Sequence, residues 1–249
     1  MSVNRVYSLL QSLATEHPIL PPTVLYSEGW LLRIILDWYA THAATGDPLA
    51  FPDRARWFSE ALLPSPFQPR SRGDPLGESR SHADGVVGHF TIGGPNKAGL
   101  TLHPDAACFV VLEAKLFSGL SAGTTRVKNY NQAARSVACM AETLRRANRA
   151  AADLERLAFH VLAPRRQLDK GSLAHEIETL QIDLGVQARV KAYGGEQDQW
   201  YAEWFVPTRE RITIAALAWE DVIAAIAGRD LLAGQEIGAF YEQCLRFGI

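Results

Sequence analysis

The stretch AACFVVLEAK, residues 106–115, decides the fold. Its first seven residues are continuously apolar, as expected of a central strand that is covered on both faces. Glu113 and Lys115 then end the run with two charges, spaced two residues apart. Because residues i and i+2 of a strand project to the same face, we expect these two side chains to lie together. A carboxylate and an ammonium at a buried strand end are costly unless they are paired or used.

A second strand is predicted over residues 84–92, DGVVGHFTI, and it begins with Asp84. If this strand pairs antiparallel with residues 106–112, Asp84 approaches the strand end that carries Glu113 and Lys115. Two converging carboxylates readily hold a hard divalent cation such as Mg²⁺. The cation can activate a bound water and stabilise charge on a phosphate, while a lysine can orient that water or help to deprotonate it. The combination suits phosphodiester hydrolysis.

The rest of the chain is predicted to alternate helices and strands. Helices are expected at residues 2–16, 27–42, 57–63, 130–148, 171–184, 219–227 and 234–247. Strands are expected at residues 157–162, 188–193 and 200–206, and residues 211–216 are predicted as a short strand or loop edge. This mixed order indicates an α/β protein with a mixed central sheet.

Residues 64–81 are rich in Pro, Arg, Gly and Ser and are predicted to form a mobile loop. The loop carries Arg70, Arg72 and Arg80. These arginines could be solvated or could clamp phosphates, and the solvated interpretation is slightly favoured unless the neighbouring site is real.

The pattern resembles the PD-(D/E)XK nuclease superfamily, which has the restriction-endonuclease-like fold. The core of that fold is a helix, a three-stranded meander, a helix and a further strand. On this resemblance, Asp84 matches the metal-binding aspartate and Glu113-Ala114-Lys115 matches the E-x-K element. Glu28 matches a glutamate on the first core helix, and Gln132 resembles a polar residue early in the helix that follows the E-x-K strand.

The resemblance implies a Mg²⁺-dependent deoxyribonuclease, with Mn²⁺ as a substitute metal. Glu28, Asp84, Glu113 and the carbonyl oxygen of Ala114 would surround the metal. Lys115 would handle the attacking water.

Gln132 would position water or phosphate. The loop over residues 64–80 and the connection over residues 116–129, with Arg126 and Lys128, would flank the substrate. The implied organisation is one restriction-endonuclease-like domain over residues 1–249, with extra helices at both ends. Its core would cover about residues 27–162, followed by a C-terminal extension over residues 163–249.

The chain departs from the superfamily pattern at one position, and it also contains one misleading match to that pattern. Ala83, rather than proline, precedes Asp84. A literal Pro104-Asp105 pair exists, but Asp105 falls on the same predicted strand as Glu113. At a rise of about 3.3 Å per residue the two would be roughly 26 Å apart, so Asp105 is discarded as a metal ligand.

Simpler interpretations remain for each residue. Glu113 and Lys115 could be a surface ion pair, Asp84 a turn aspartate, and Glu28 a residue that favours a helix start through the helix dipole. Because fold does not fix function, the alternative to an enzyme is a catalytically inactive nuclease-fold protein that acts as a nucleic-acid-binding or assembly module.

Composition sets the remaining expectations. The net charge of −2 over 249 residues gives no global basic field, although a near-neutral total can hide a local basic patch. Three separated cysteines form no CxxC pair, which favours buried thiols over a zinc or disulfide framework. No apolar run approaches the roughly 20 residues that span a bilayer, and no signal peptide is recognised, so a cytoplasmic, non-membrane protein is expected. The expected partner is nucleic acid, with DNA favoured over RNA, and a homodimer would suit cutting of both strands.

Overall fold

A computed structural model describes residues 3–14, 19–42, 44–78, 80–94, 97–122 and 129–247. The strands are β1 (Arg56–Pro64), β2 (Arg80–Gly88), β3 (Phe90–Ile92), β4 (Leu100–Leu102), β5 (Cys108–Ala114), β6 (Arg156–Ala163) and β7 (Thr213–Ala218). The helices are α1 (Val3–Gln11), α2 (Glu28–Thr41), α3 (Gln132–Arg146), α4 (Arg165–Leu168), α5 (Ser172–Glu176), α6 (Thr179–Ala192), α7 (Asp198–Trp200), α8 (Val206–Arg211), α9 (Trp219–Ala227) and α10 (Leu231–Phe247). A π-helical segment, Tyr201–Phe205, joins α7 to α8.

Five strands form one mixed sheet in the order β1-β2-β5-β6-β7, and β3 pairs with β4 in a separate hairpin. β1 with β2 and β2 with β5 are antiparallel, whereas β5 with β6 and β6 with β7 are parallel. The predicted α/β class with a mixed central sheet is therefore confirmed. The fifth strand, β7, comes from the C-terminal part of the chain.

β5 lies in the middle of the sheet, and all seven of its residues are buried. Phe109 and Val111 pack into the layer that contains α3 and α6. Val110 and Leu112 pack into the opposite layer, which contains α2, α9 and α10. The continuous apolar run in the sequence is explained by this burial on both faces.

The sheet divides at Asp84. Pairing of β2 with β5 ends at Gly85 opposite Leu112, whereas pairing of β2 with β1 continues to the first residue of β2. Asp84 would otherwise lie opposite Glu113. On the other side, the ladder between β1 and β2 skips Glu60, whose φ is 58°. The end of β5 is thus left without β2 as its neighbour.

A glycine lets α2 approach this division. A Cβ atom built on Gly85 would lie 3.0 Å from Leu32 Cδ2 and 3.1 Å from Leu36 Cδ1. The bare backbone therefore lets α2 pack closely on β2, which fixes the N-terminus of α2 beside the end of β5.

The helix predicted at residues 57–63 is wrong, because these residues belong to β1. Their alanine, leucine and glutamate content favours a helix, but burial follows a period of two: Ala61 and Leu63 are buried and Leu62 between them is half-buried. Pairing along the whole of β2 outweighs the local helix propensity.

The strands predicted at residues 188–193 and 200–206 are also wrong. The first lies at the end of α6, where Ile182, Val186 and Val190 are buried at a helical spacing of four residues. The second lies in the helical stretch that runs through α7 and the π-helical segment, where Trp200 and Phe205 are buried. Short windows rich in β-branched or aromatic residues indicate a strand even where burial follows the 3.6-residue period of a helix.

The other predicted elements differ from the structure mainly in their bounds. The helix predicted at residues 171–184 is divided into α5 and α6, and the strand predicted at residues 84–92 is divided into β2 and β3. The predicted loop over residues 64–81 contributes its ends to β1 and β2, and its Phe67 is fully buried against the rings of Tyr130 and Tyr193. The helix at residues 219–227 is confirmed with the same bounds.

Two expectations from composition can be compared with the structure. Cys108, Cys139 and Cys244 are free, buried thiols, as predicted. No helix within the described ranges has the length and apolarity needed to cross a membrane.

Gly88→Ala should lower the free energy of unfolding by roughly 3 kcal/mol or more. Gly88 has φ 152°, and a Cβ there would lie 2.2 Å from the carbonyl oxygen of Cys108. Gly46→Ala is the matched control, since Gly46 also has a positive φ (87°) but no atom within 4 Å of its Cβ position. Urea denaturation of both variants measures the difference, and equal losses would contradict the packing described.

Candidate functional site

The end of β5 carries the predicted charged pair. Lys115 Nζ donates to Glu113 Oε1 at 2.7 Å, so the two side chains share one face as expected. Both are buried, with 1% of Glu113 and 7% of Lys115 exposed. Glu113 and Lys115 do pair, but the pair is buried, so the prediction of a surface ion pair is wrong.

Two carboxylates accept the backbone N–H groups that β2 leaves unpaired. Asp84 Oδ2 accepts from Ala114 N at 2.8 Å, and Glu28 Oε2 accepts from Leu116 N at 2.8 Å. The N–H of Lys115, which points to the opposite side, donates to the carbonyl of Leu162 in β6. The acidic side chains thus replace a β-ladder at the point where the sheet divides.

Helix starts position the outer members of the site. Glu28 is the first residue of α2, and the side chain of Ser27 caps that helix by accepting from Trp30 N at 3.5 Å. Gln132 is the first residue of α3, and the side chain of Asn131 caps it. Both helix starts are therefore capped by the side chain that precedes them.

Gln132 joins Glu113 to the connection that follows β5. Its Nε2 donates to Glu113 Oε1, and its Oε1 accepts from Ser121 N at 3.1 Å. The backbone N–H of Gln132 in turn donates to the carbonyl of Ser121 at 3.0 Å. Glu113 Oε1 therefore accepts from both Lys115 and Gln132, whereas the buried Glu113 Oε2 accepts from no donor in the described structure, and only a protonated Glu113 can bond to the neighbouring Asp84 carboxylate.

The charges of the site are strongly coupled. Burial, and then the neighbouring Asp84 carboxylate, raise the pKa of Glu113 to about 8, against the opposing effect of Lys115. Burial also raises the pKa of Glu28, although Lys115 and the Leu116 N–H oppose this. Burial by itself would lower the pKa of Lys115, but the attraction of Glu113, Asp84 and Glu28 outweighs it and the pKa is raised. Three carboxylates share one ammonium, so the site lacks positive charge.

No three His, Cys, Asp or Glu side chains within the described ranges are arranged to hold a metal ion as they stand. What fits a divalent cation is the donor set. Asp84 and Glu28 each give one carboxylate oxygen to a backbone N–H, which leaves the second oxygen of each for a ligand. Glu113 Oε2 is a buried acceptor that lacks a donor. Ala114 gives its N–H to Asp84, and its carbonyl oxygen remains a predicted ligand.

The structure places the other candidates away from this cluster or leaves them untested. Asp105 is exposed before the opposite end of β5, in agreement with its rejection as a ligand. Arg70 pairs with Asp74 at 2.9 Å, and Arg72 is exposed. Arg126 and Lys128 lie outside the described residues.

Trp219 is a member of the site that the sequence did not reveal. Its Nε1 donates to the carbonyl oxygen of Lys115 at 2.8 Å, and the side chain is fully buried. The sequence predicted only that Trp219 starts a helix. Its partner lies 104 positions earlier in the chain, and no local pattern connects the two.

Cavity volume alone does not identify the functional site. One cavity of about 730 Å³ lies between residues 44–53 and the strands β6 and β7. A smaller cavity of about 270 Å³ adjoins the site and is lined by Tyr26, Glu28, Leu116 and Phe117, among others. The cluster of coupled charges at the end of β5 is the stronger sign of function, because Glu113 and Lys115 are buried there and interact with Asp84 and Glu28.

No family model, no curated protein and no solved structure matches this chain. The function of this protein is therefore inferred from its residues and their geometry.

Glu113→Gln should make the stability of the metal-free protein less dependent on pH. The folded pKa of Glu113, about 8, lies above its ordinary value of 4.5, so the unfolded chain loses this proton first as the pH rises. Wild-type stability should therefore fall between pH 4.5 and 8 by up to about 1.4 kcal/mol per pH unit from this group. The glutamine variant lacks this loss.

Urea denaturation in EDTA at pH 5, 6.5 and 8 measures the effect as a stability difference between variant and wild type that grows with pH. Glu242→Gln, at an exposed position on α10, is the control and should follow wild type. A difference that stays constant from pH 5 to 8 would contradict the electrostatics described.

Proposed function

We propose that this protein is a Mg²⁺-dependent nuclease that hydrolyses phosphodiester bonds, with DNA as the favoured substrate and Mn²⁺ as a substitute metal. The observation that carries the proposal is the buried Glu113 Oε2, which lacks a hydrogen-bond donor and lies beside a second carboxylate, that of Asp84. A buried carboxylate that lies beside a second one is costly unless a proton or a cation compensates it.

The order of elements supports a restriction-endonuclease-like fold. α2 is followed by the antiparallel strands β1, β2 and β5, then by α3 and by β6, which is parallel to β5. This is the helix, three-stranded meander, helix and strand that the resemblance implies, with the β3–β4 hairpin inserted before β5. Asp84 and the Glu113-Ala114-Lys115 element lie where β2 and β5 separate.

Each side chain has a defined task in the proposed reaction. Asp84 and Glu113 would hold the metal, with Glu28 and the Ala114 carbonyl as further oxygen donors. When bound, the metal supplies an activated water and stabilises negative charge on the scissile phosphate. Lys115 holds its ammonium 2.7 Å from Glu113, where it can donate to the attacking water or to a phosphate oxygen.

Gln132 fixes the orientation of Glu113 and ties it to the backbone of Ser121. Trp219 holds the carbonyl of Lys115, so the lysine backbone cannot shift without breaking a buried hydrogen bond. These two residues act as positioning residues, because their contacts are to other members of the site.

The alternative is a catalytically inactive protein that binds nucleic acid or assembles with partners. In that case Asp84 and Glu28 would serve only to cap the backbone of β5. This role accounts for two of the acids but gives no task to the third, Glu113, which is buried beside the Asp84 carboxylate.

The wild-type protein should cleave DNA in the presence of Mg²⁺ or Mn²⁺. Lys115→Ala and Asp84→Ala should each lower the rate by about a hundredfold or more, the usual effect of removing a group that acts on the reacting water. Cleavage is measured on single-stranded, linear duplex and circular duplex DNA, and on RNA.

Asp105→Ala is the matched control, because it removes an exposed aspartate before the other end of β5 and should leave the rate unchanged. Thermal melts show whether each variant folds. If wild type and both site variants are equally inert on every substrate with either metal, the proposed activity is refuted.

A further inference from the structure

Two exposed aromatic side chains lie close in sequence to residues of the candidate site, and one of them, Phe117, lines the cavity beside Glu28. Among the Phe, Trp and Tyr side chains that the structure describes, Trp30 and Phe117 are the most exposed, at 37% and 38%. Trp30 lies two residues after Glu28, and Phe117 lies two residues after Lys115. A single exposed aromatic side chain is ordinary, but these two share a second feature, a guanidinium group packed against the ring.

Phe117 lies at the point where the chain leaves β5. It lines the cavity of about 270 Å³ that also includes Glu28 and Tyr26. The guanidinium of Arg166, on α4, lies 5.7 Å from the centre of the Phe117 ring. Arg166 is exposed and has no ion-pair partner in the described part of the chain, so its charge is free to act on a ligand.

Trp30, on α2, also packs against a guanidinium group. The guanidinium of Arg33 lies 5.1 Å from the centre of the Trp30 ring; its Nε donates to Ser59 Oγ on β1 at 2.8 Å, and one of its terminal nitrogens pairs with Glu60 at 3.4 Å. The arginine is thus held by the sheet while the tryptophan ring remains exposed. Aromatic rings combined with guanidinium groups are the usual platform for stacking bases and neutralising phosphates of a single strand.

We propose that Phe117 and Trp30 stack unpaired bases, and that the site acts on nucleic acid that is single-stranded around the scissile phosphate. This inference rests on the proposed nuclease function for the position of that phosphate. In an intact duplex the faces of the bases are covered by their neighbours, so the rings could not be used. An unpaired base can enter the cavity beside Phe117 while the adjoining phosphate approaches Glu28.

The test is binding of fluorescein-labelled (dT)20 and of a blunt 20-base-pair duplex, measured by anisotropy with Ca²⁺ in place of Mg²⁺. Phe117→Ala and Trp30→Ala should each weaken binding of (dT)20 by about tenfold, with little change for the duplex. Phe117→Trp and Trp30→Phe should retain most of the affinity. Leu232→Ala, which removes a 72% exposed apolar side chain on α10, is the matched control and should bind as wild type does.

Unchanged (dT)20 binding in both alanine variants, or equal losses for (dT)20 and duplex, would overturn the inference. Cleavage by wild type with Mg²⁺ in that case leaves the nuclease function intact. Conversely, (dT)20 binding that depends on Phe117 and Trp30, without cleavage of any substrate, supports the stacking surface and refutes the nuclease function.

Discussion

The separation of β2 from β5 at Asp84 is the constraint on which the site depends. An inner strand of a sheet normally has both sets of backbone groups paired, but the end of β5 loses one neighbour while still buried. The N–H groups of Ala114 and Leu116 are then satisfied by the carboxylates of Asp84 and Glu28. The loss of β2 as a neighbour therefore explains why two acids, Asp84 on β2 and Glu28 on α2, lie at the strand end that already carries Glu113.

This convergence has an electrostatic consequence. Lys115 neutralises one carboxylate, and Gln132 adds a neutral donor, but one oxygen of Glu113 is left buried without a partner. The protein tolerates the arrangement because Glu113 holds a proton at neutral pH, as its pKa of about 8 indicates. A divalent cation is the natural competitor for that proton, since metal ligands of this kind must be deprotonated before they bind.

The sequence predicted the residues at the end of β5 better than it predicted the surrounding helices and strands. Glu113, Lys115 and Asp84 could be related because strand periodicity and antiparallel pairing are regular and local. The composition of β1 predicts a helix, and its pairing with β2 is a tertiary effect that composition does not reveal. Short apolar windows in α6 and around Trp200 predict strands, because such windows do not distinguish a period of two residues from one of 3.6. Trp219 could not be found at all, since its contact with Lys115 arises only from the packing of α9 beside the sheet.

The central claim is that Asp84 and Glu113 share one divalent cation. The most direct test is a crystal structure of the protein soaked in Mn²⁺, with an anomalous difference map. We expect one anomalous peak within about 2.2 Å of an oxygen of each carboxylate, the usual distance for such ions. The claim would be contradicted by a map with no peak between these residues, or with Mn²⁺ bound only elsewhere while Lys115 still pairs with Glu113.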